Sequence, residues 1–234
     1  MTIFISGSSR GIGKALAEHF AVSGHNVAIN GANDYDALMQ TAKELNAIPF
    51  FGDLSDYDTA NRIIMQVIDT FGGIDVLINN AGISYIGLFG DMKPEEWQRI
   101  IDVNQLAMVN CSHIAIPYML KANSGNIINI SSVWGEVGAS CEVIYSMTKG
   151  AVNSFTRALA KELAPSGIRV NAVSLGVMNT SMNDFLNADE RAALAEQIPM
   201  GRFGNPKEAA ICAEFLINCS YITGEILTID GGFL

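Results

Sequence analysis

Residues Thr2–Ser23 read TIFISGSSRGIGKALAEHFAVS, and this stretch decides the fold. Thr2–Ser6 has the apolar run of a strand, the run breaks at Gly7-Ser8-Ser9-Arg10-Gly11-Ile12-Gly13, and Lys14–Ser23 then follows a helical period. Glycines at 7, 11 and 13 let the backbone turn sharply and approach a pyrophosphate, which would rest on free N–H groups at the helix N-terminus. A strand, a glycine-rich turn and a helix open a doubly wound α/β sheet when the chain goes on alternating the two elements.

This chain does so. Strands are predicted at Asn26–Asn30, Ile48–Phe51, Val76–Ile78, Arg169–Ser174 and Glu225–Ile229, with another in the apolar run that ends at Ser131-Ser132. Helices are predicted at Tyr35–Leu45, capped by Asp34, and at Ser55–Phe71, Ile144–Leu163 and Glu208–Ile217. Pro94–Leu106 starts on a proline and continues apolar to Leu120. The expectation is one α/β domain over residues 1–234, a Rossmann-type doubly wound parallel sheet of about seven strands with helices on both faces. Ligands of such a sheet bind at the carboxyl ends of its strands.

With 234 residues, 49 % of them hydrophobic, the chain can bury a large core. A net charge of −10 argues against nucleic acid and anionic membrane as partners, because both select a basic surface. The start, MTIFISGSSRG, has neither a basic region nor a long apolar stretch, so a cytoplasmic protein is expected. Cys111, Cys141, Cys212 and Cys219 have no C-x-x-C spacing, the three histidines are scattered, and no metal site is predicted.

The chemistry is concentrated in Gly125–Lys149, GNIINISSVWGEVGASCEVIYSMTK. Tyr145 and Lys149 are four apart, so on a helix they share one face, and the ammonium is expected to lower the phenol's pKa. A tyrosine tuned in this way exchanges a proton near neutral pH, and Ser132 would offer its hydroxyl to the same substrate oxygen.

G-x-x-x-G-x-G at the start of a chain resembles the short-chain dehydrogenase/reductase family. The resemblance covers essentially the whole chain: Asp53-Leu54, Asn79-Asn80-Ala81-Gly82, Asn104, Ser132, Tyr145 and Lys149 follow in the family's order. It implies carbonyl reduction by a nicotinamide cofactor, with Asn104, Ser132, Tyr145 and Lys149 catalytic and Asn104 holding a water that links the lysine to solvent. It further implies a dinucleotide site made of Gly7, Ser9, Arg10, Gly11, Ile12, Gly13, Asn30, Asp53, Leu54, Asn80, Ala81, Gly82, Tyr145, Lys149, Gly176, Val177 and Thr180. In that site Asp53 would accept from the adenine amine and Thr180 would contact the carboxamide. Position 30, at the end of the second strand, is a neutral Asn, while Arg10 could reach a phosphate, so NADP(H) is favoured over NAD(H). Leu175 stands where the family usually has Pro.

An apolar stripe on Ile144–Leu163 (Ala151, Phe155, Ala158, Leu159) suggests a second packing partner, and the resemblance implies that this partner is another copy, in a tetramer or dimer. Residues 178–200 fall where the family places its substrate lid, and Cys141, Glu142, Met178 and Asp184 are the candidate substrate contacts. The tail, IPMGRFG at 198–204 with YITGE at 221–225, is similar to bacterial 3-oxoacyl-acyl-carrier-protein reductases. Gly138–Val143 and the missing proline look instead like Firmicute reductases that act on an aminopentanone-modified lysine of elongation factor P. The substrate expected is therefore a small-molecule or carrier- or protein-linked carbonyl. The competing class is a dinucleotide-sensing regulator without chemistry, and such proteins typically lose the tyrosine or the lysine.

Overall fold

The computed structural model describes residues 1–234. Seven parallel strands form one sheet: β1 (Thr2–Ile5), β2 (Asn26–Gly31), β3 (Ile48–Phe51), β4 (Val76–Asn79), β5 (Gly125–Ser132), β6 (Ile168–Leu175) and β7 (Ile226–Ile229). Their spatial order is β3-β2-β1-β4-β5-β6-β7, so the chain winds outward one way from β1, then returns to build the other half from β4. The direction reverses between β1 and β4, and a crevice opens there at the carboxyl ends of the strands.

Both faces of the sheet are covered, which is why its strands are apolar at consecutive positions. On β1, Ile3 and Ile5 point one way, into a core with α1 (Gly11–Val22), α2 (Tyr35–Leu45) and α9 (Pro206–Asn218). Phe4 points the other way, into a core with α3 (Tyr57–Phe71), α5 (Ala107–Ala122) and α7 (Val143–Leu163). Leu16, Phe20, Ile63 and Ile64 are fully buried, each worth about 1.5–3 kcal/mol relative to exposure.

Helix ends follow local chemistry. The Asp34 carboxylate accepts from the N–H of Ala37 at 3.0 Å and the Asp56 carboxylate from that of Thr59 at 2.8 Å, so α2 and α3 each begin with a side-chain cap. Three features go beyond the sequence reading. The helix expected from Pro94 to Leu106 is α4 (Pro94–Ile101) followed by a π-helical turn at Asp102–Leu106. The glycine-rich loop after β5 holds a short helix, α6 (Trp134–Val137). Residues 178–200 contain a regular helix, α8 (Ala188–Glu196), started by a reciprocal Asn187–Glu190 capping box. No helix is long and apolar enough to cross a membrane.

Candidate active site

Ser132 ends β5, and Tyr145 and Lys149 lie one turn apart on α7, packed beside that strand end. The Lys149 Nζ is 5.6 Å from the centroid of the Tyr145 ring and donates to the Ile130 carbonyl at 2.9 Å. Lys149 is only 4 % exposed, and burial without a carboxylate partner lowers its pKa from 10.5 to about 8. The expected lowering of the Tyr145 pKa is not found. Burial pushes the phenol up to about 12; the neighbouring Ser132 hydroxyl opposes this, and the Glu142 carboxylate adds to it. The phenol therefore stays protonated at neutral pH, ready to donate.

Asn104 sits on the π-helical turn, 2 % exposed. Its Oδ1 accepts from the Ile83 N–H at 2.8 Å, and its Nδ2 donates to the Ile83 carbonyl and to Thr148 Oγ1, both at 3.0 Å. It thereby ties the loop after β4 to α7 one residue before Lys149. The extra residue per turn of a π-turn brings this amide to that position, and such turns recur at functional sites.

The glycine-rich turn is a fitted cradle. Gly7 has φ +62°, open to glycine at low cost, and a Cβ there would lie 2.7 Å from Ala81 Cα. A Cβ on Gly13 would collide with the Gly7 carbonyl and lie 2.6 Å from Asn80 Nδ2. Ser6 Oγ accepts from the N–H groups of Asn80 and Ala81 at 2.9 and 3.0 Å, while Asn80 Nδ2 donates to the carbonyls of Ser6 and Gly7 at 3.0 and 2.9 Å. Thr180 lies above, its methyl 3.8 Å from the position of a Gly11 Cβ. Helix α1, unlike α2 and α3, has no side-chain cap; its N-cap is Arg10, exposed and engaged in no ion pair. An open helix N-terminus, backbone stripped of side chains and a free guanidinium together fit a dinucleotide phosphate group.

The remaining expected cofactor contacts are spread around this cradle. The Ser9 carbonyl accepts from Thr41 Oγ1 at 3.0 Å, and Ile12 packs against the core. Gly82 faces both Asn104 Oδ1 and Lys149 Nζ. Gly176 is pressed against Asp230, and the Val177 carbonyl accepts from the Gly204 N–H. Leu54 is a core residue, 3 % exposed.

Asn30 is 3 % exposed; its Nδ2 donates to the carbonyls of Phe50 and Gly52 at 3.0 and 3.1 Å, and its Oδ1 accepts from the Gly7 N–H at 3.4 Å. The amide braces the ends of β1, β2 and β3 from inside. Asp53 is in place but already engaged, with Oδ2 accepting from Arg99 Nη1 at 2.7 Å and Oδ1 from the Ser55 N–H and hydroxyl.

Of the substrate-side candidates, Glu142 is the one drawn into the site: its Oε2 accepts from Ser84 Oγ at 2.6 Å, and its charge is felt at Tyr145. Cys141 sits in the loop before it with φ +64°. Met178 is 7 % exposed and packs in the core, while Asp184 is exposed in the segment 178–200. Arg169 is turned inward, donating to the carbonyls of Leu216, Ile217 and Ile222. Ser6, Ser84 and Arg99 enter the site without having been foreseen. Ser6 is signalled only by a hydroxyl ending an apolar run, while the contacts of Ser84 and Arg99 join distant segments that no spacing relates.

A family model described as enoyl-(acyl carrier protein) reductase matches residues 7–234. An uncharacterized oxidoreductase of Bacillus subtilis, YmfI, is 39 % identical, covering 99 % of this chain and 98 % of its own length. The 3-oxoacyl-[acyl-carrier-protein] reductase FabG of Staphylococcus aureus is 38 % identical over 97 % of this chain and 96 % of its own. A crystal structure of 3-oxoacyl-[acyl-carrier protein] reductase from Brucella melitensis superposes with a TM-score of 0.92 at 34 % identity, covering 100 % of this chain and 91 % of that one.

Proposed function

We propose, from the premise that this chain belongs to the short-chain dehydrogenase/reductase family, that it reduces the 3-oxo group of an acyl thioester with NADPH. At the coarser level it is an NAD(P)-dependent oxidoreductase of the carbonyl/alcohol pair, 3-oxoacyl-carrier-protein reductase-like. The observation that carries the reading is the convergence of Ser132, Tyr145, Lys149 and Asn104 at the same carboxyl edge of the sheet that carries the glycine cradle. All four side chains are retained, which argues against a silent dinucleotide sensor.

The nicotinamide cofactor, when bound, supplies the hydride to the carbonyl carbon. Tyr145, held protonated, gives its proton to the carbonyl oxygen, so the product is the alcohol. Ser132 positions that oxygen. Lys149 places a cation beside the ring and would hold the cofactor's ribose, and Asn104 fixes the surroundings through which the proton would be replaced. NADPH is favoured by the free guanidinium of Arg10. Residues 178–200 act as the lid. The half-exposed apolar β7 edge and the exposed Ile211, Phe215 and Tyr221 support self-association, as a tetramer or dimer. Four unpaired cysteines fit the cytoplasm.

A second reading, a carbonyl compound that carries an amine, is supported by Glu142 at the pocket and by the withdrawal of Arg169 from the surface, which leaves few cations to dock an acidic carrier. Steady-state kcat/KM for an acetoacetyl thioester, a simple ketone, and a matched amino-ketone and keto-acid pair, each with NADPH and NADH, separates the two. The expected ranking is thioester first, with NADPH. An amino-ketone that wins at low salt, with an advantage that shrinks as salt is added, would establish the second reading instead.

A further inference from the structure

We propose that Arg99 is a positioning residue for the adenine end of the dinucleotide: it fixes the Asp53 carboxylate in one orientation so that a remaining lone pair faces the exocyclic amine of adenine. The inference rests on the dinucleotide reading above, and its own content is the part played by α4. The loop between β3 and α3 is gripped at two places by one continuous helical array. Asn110, on α5, donates from Nδ2 to the carbonyls of Leu54 and Ser55, both at 3.0 Å, and so fixes the loop's backbone. Arg99, on α4, donates to Asp53 Oδ2 at 2.7 Å and reaches Ser55 Oγ at 3.4 Å, and so fixes the side chain. Ser55 holds Oδ1 with its N–H at 3.0 Å and its hydroxyl at 2.7 Å. Rotation of the carboxylate is thus blocked from both oxygens, and each oxygen has two acceptor directions, so Oδ2 keeps one unoccupied.

Burial raises the Asp53 pKa, but the Ser55 and Arg99 bonds outweigh this and hold it below its ordinary value, so the group is an acceptor throughout the neutral range. Both partners are well over a third exposed, at 41 % and 38 %, as an acceptor that must meet a ligand has to be. Because Asn110 holds the backbone independently, replacing Arg99 should free the carboxylate without dismantling the loop.

The test is calorimetric binding, with no turnover, of NADPH and its hypoxanthine counterpart, which lacks the amine, to the full chain, to Arg99→Met and to Arg99→Lys. We expect the parent to prefer the amine-bearing cofactor about tenfold, the strength of a hydrogen bond to a charged group. Arg99→Met should lose most of that preference by weakening NADPH alone, and Arg99→Lys should restore part of it at unchanged melting temperature. Equal weakening of both cofactors, tighter NADPH binding by Arg99→Met, or an undiminished preference would each overturn the proposal while leaving the dinucleotide reading intact. A parent that binds neither cofactor would overturn both.

Discussion

Asn80, in the glycine cradle, and Phe185, in the segment 178–200, live under different constraints. Asn80 is tied through its N–H and side-chain amide to Ser6 and Gly7, beside a glycine with no space for a single methyl. Phe185 is 60 % exposed and Met182 49 %, on a lid whose base is closed by one isolated bridge between Met178 and Gly204. Arg191 adds the one clip between α8 and that base, stacking 4.4 Å from the Phe203 ring and donating to Asn179. The floor is over-determined and the lid under-determined. On the proposed reading, such a chain would hold the dinucleotide on rigid backbone and leave the substrate to a segment with few ties.

The contrast is sharpest in the chemistry. Tyr145→Phe removes the proton donor and leaves the floor alone, so turnover should fall about 10²–10⁴-fold with dinucleotide affinity kept. Steady-state kinetics beside a cofactor titration check this, and turnover within a few fold of the parent would remove Tyr145 from its role.

A matched pair of substitutions then compares floor with lid directly. Gly13→Ala forces a methyl into the Gly7 carbonyl and Asn80, neither of which can retreat, so a loss of about 1–3 kcal/mol in stability together with weaker dinucleotide binding is expected. Arg191→Ala releases only the clip and should stay within about 0.5 kcal/mol in thermal unfolding while raising the substrate KM. If Arg191→Ala proved as damaging as Gly13→Ala, the lid would be part of the rigid frame and the comparison would fail.

Much of the floor was legible in the sequence because it is local. A glycine needing φ +62°, a Tyr–Lys pair four apart and an Asp34 cap all act within a few residues of themselves. Asn30 was read as the last residue of β2, which runs one residue further to Gly31, and the direction of its short amide depends on carbonyls 20 and 22 residues away. The Arg99–Asp53 pair spans 46 residues and leaves no pattern. The π-helical turn at Asn104 adds a residue without interrupting the apolar period, and α8 is mostly exposed, so neither disturbs hydrophobic spacing. The direction of the Tyr145 shift depended on burial, which only the packed structure supplies.

The Lys149 ammonium carries a consequence for folding as well as for the ribose. It is buried with a carbonyl and no anion for company, so below pH about 8 the folded chain bears the cost of that charge while the unfolded chain bears none. Between about pH 8 and 10.5 the folded form releases the proton and the unfolded form keeps it, so stability rises through this window. Tyr145 works the other way, staying neutral when folded up to about 12, so it detracts only above its ordinary value of 10. A fall from 10.5 to about 8, at about 1.4 kcal/mol per power of ten in proton affinity, is worth about 3 kcal/mol. Lys149→Met should therefore melt higher than the parent at pH 7, by a margin that closes as the pH approaches 10; a margin constant with pH would mean that the folded amine keeps its ordinary proton affinity. On this account the protein is least stable where its lysine is charged, a frustration written into the fold by its chemistry.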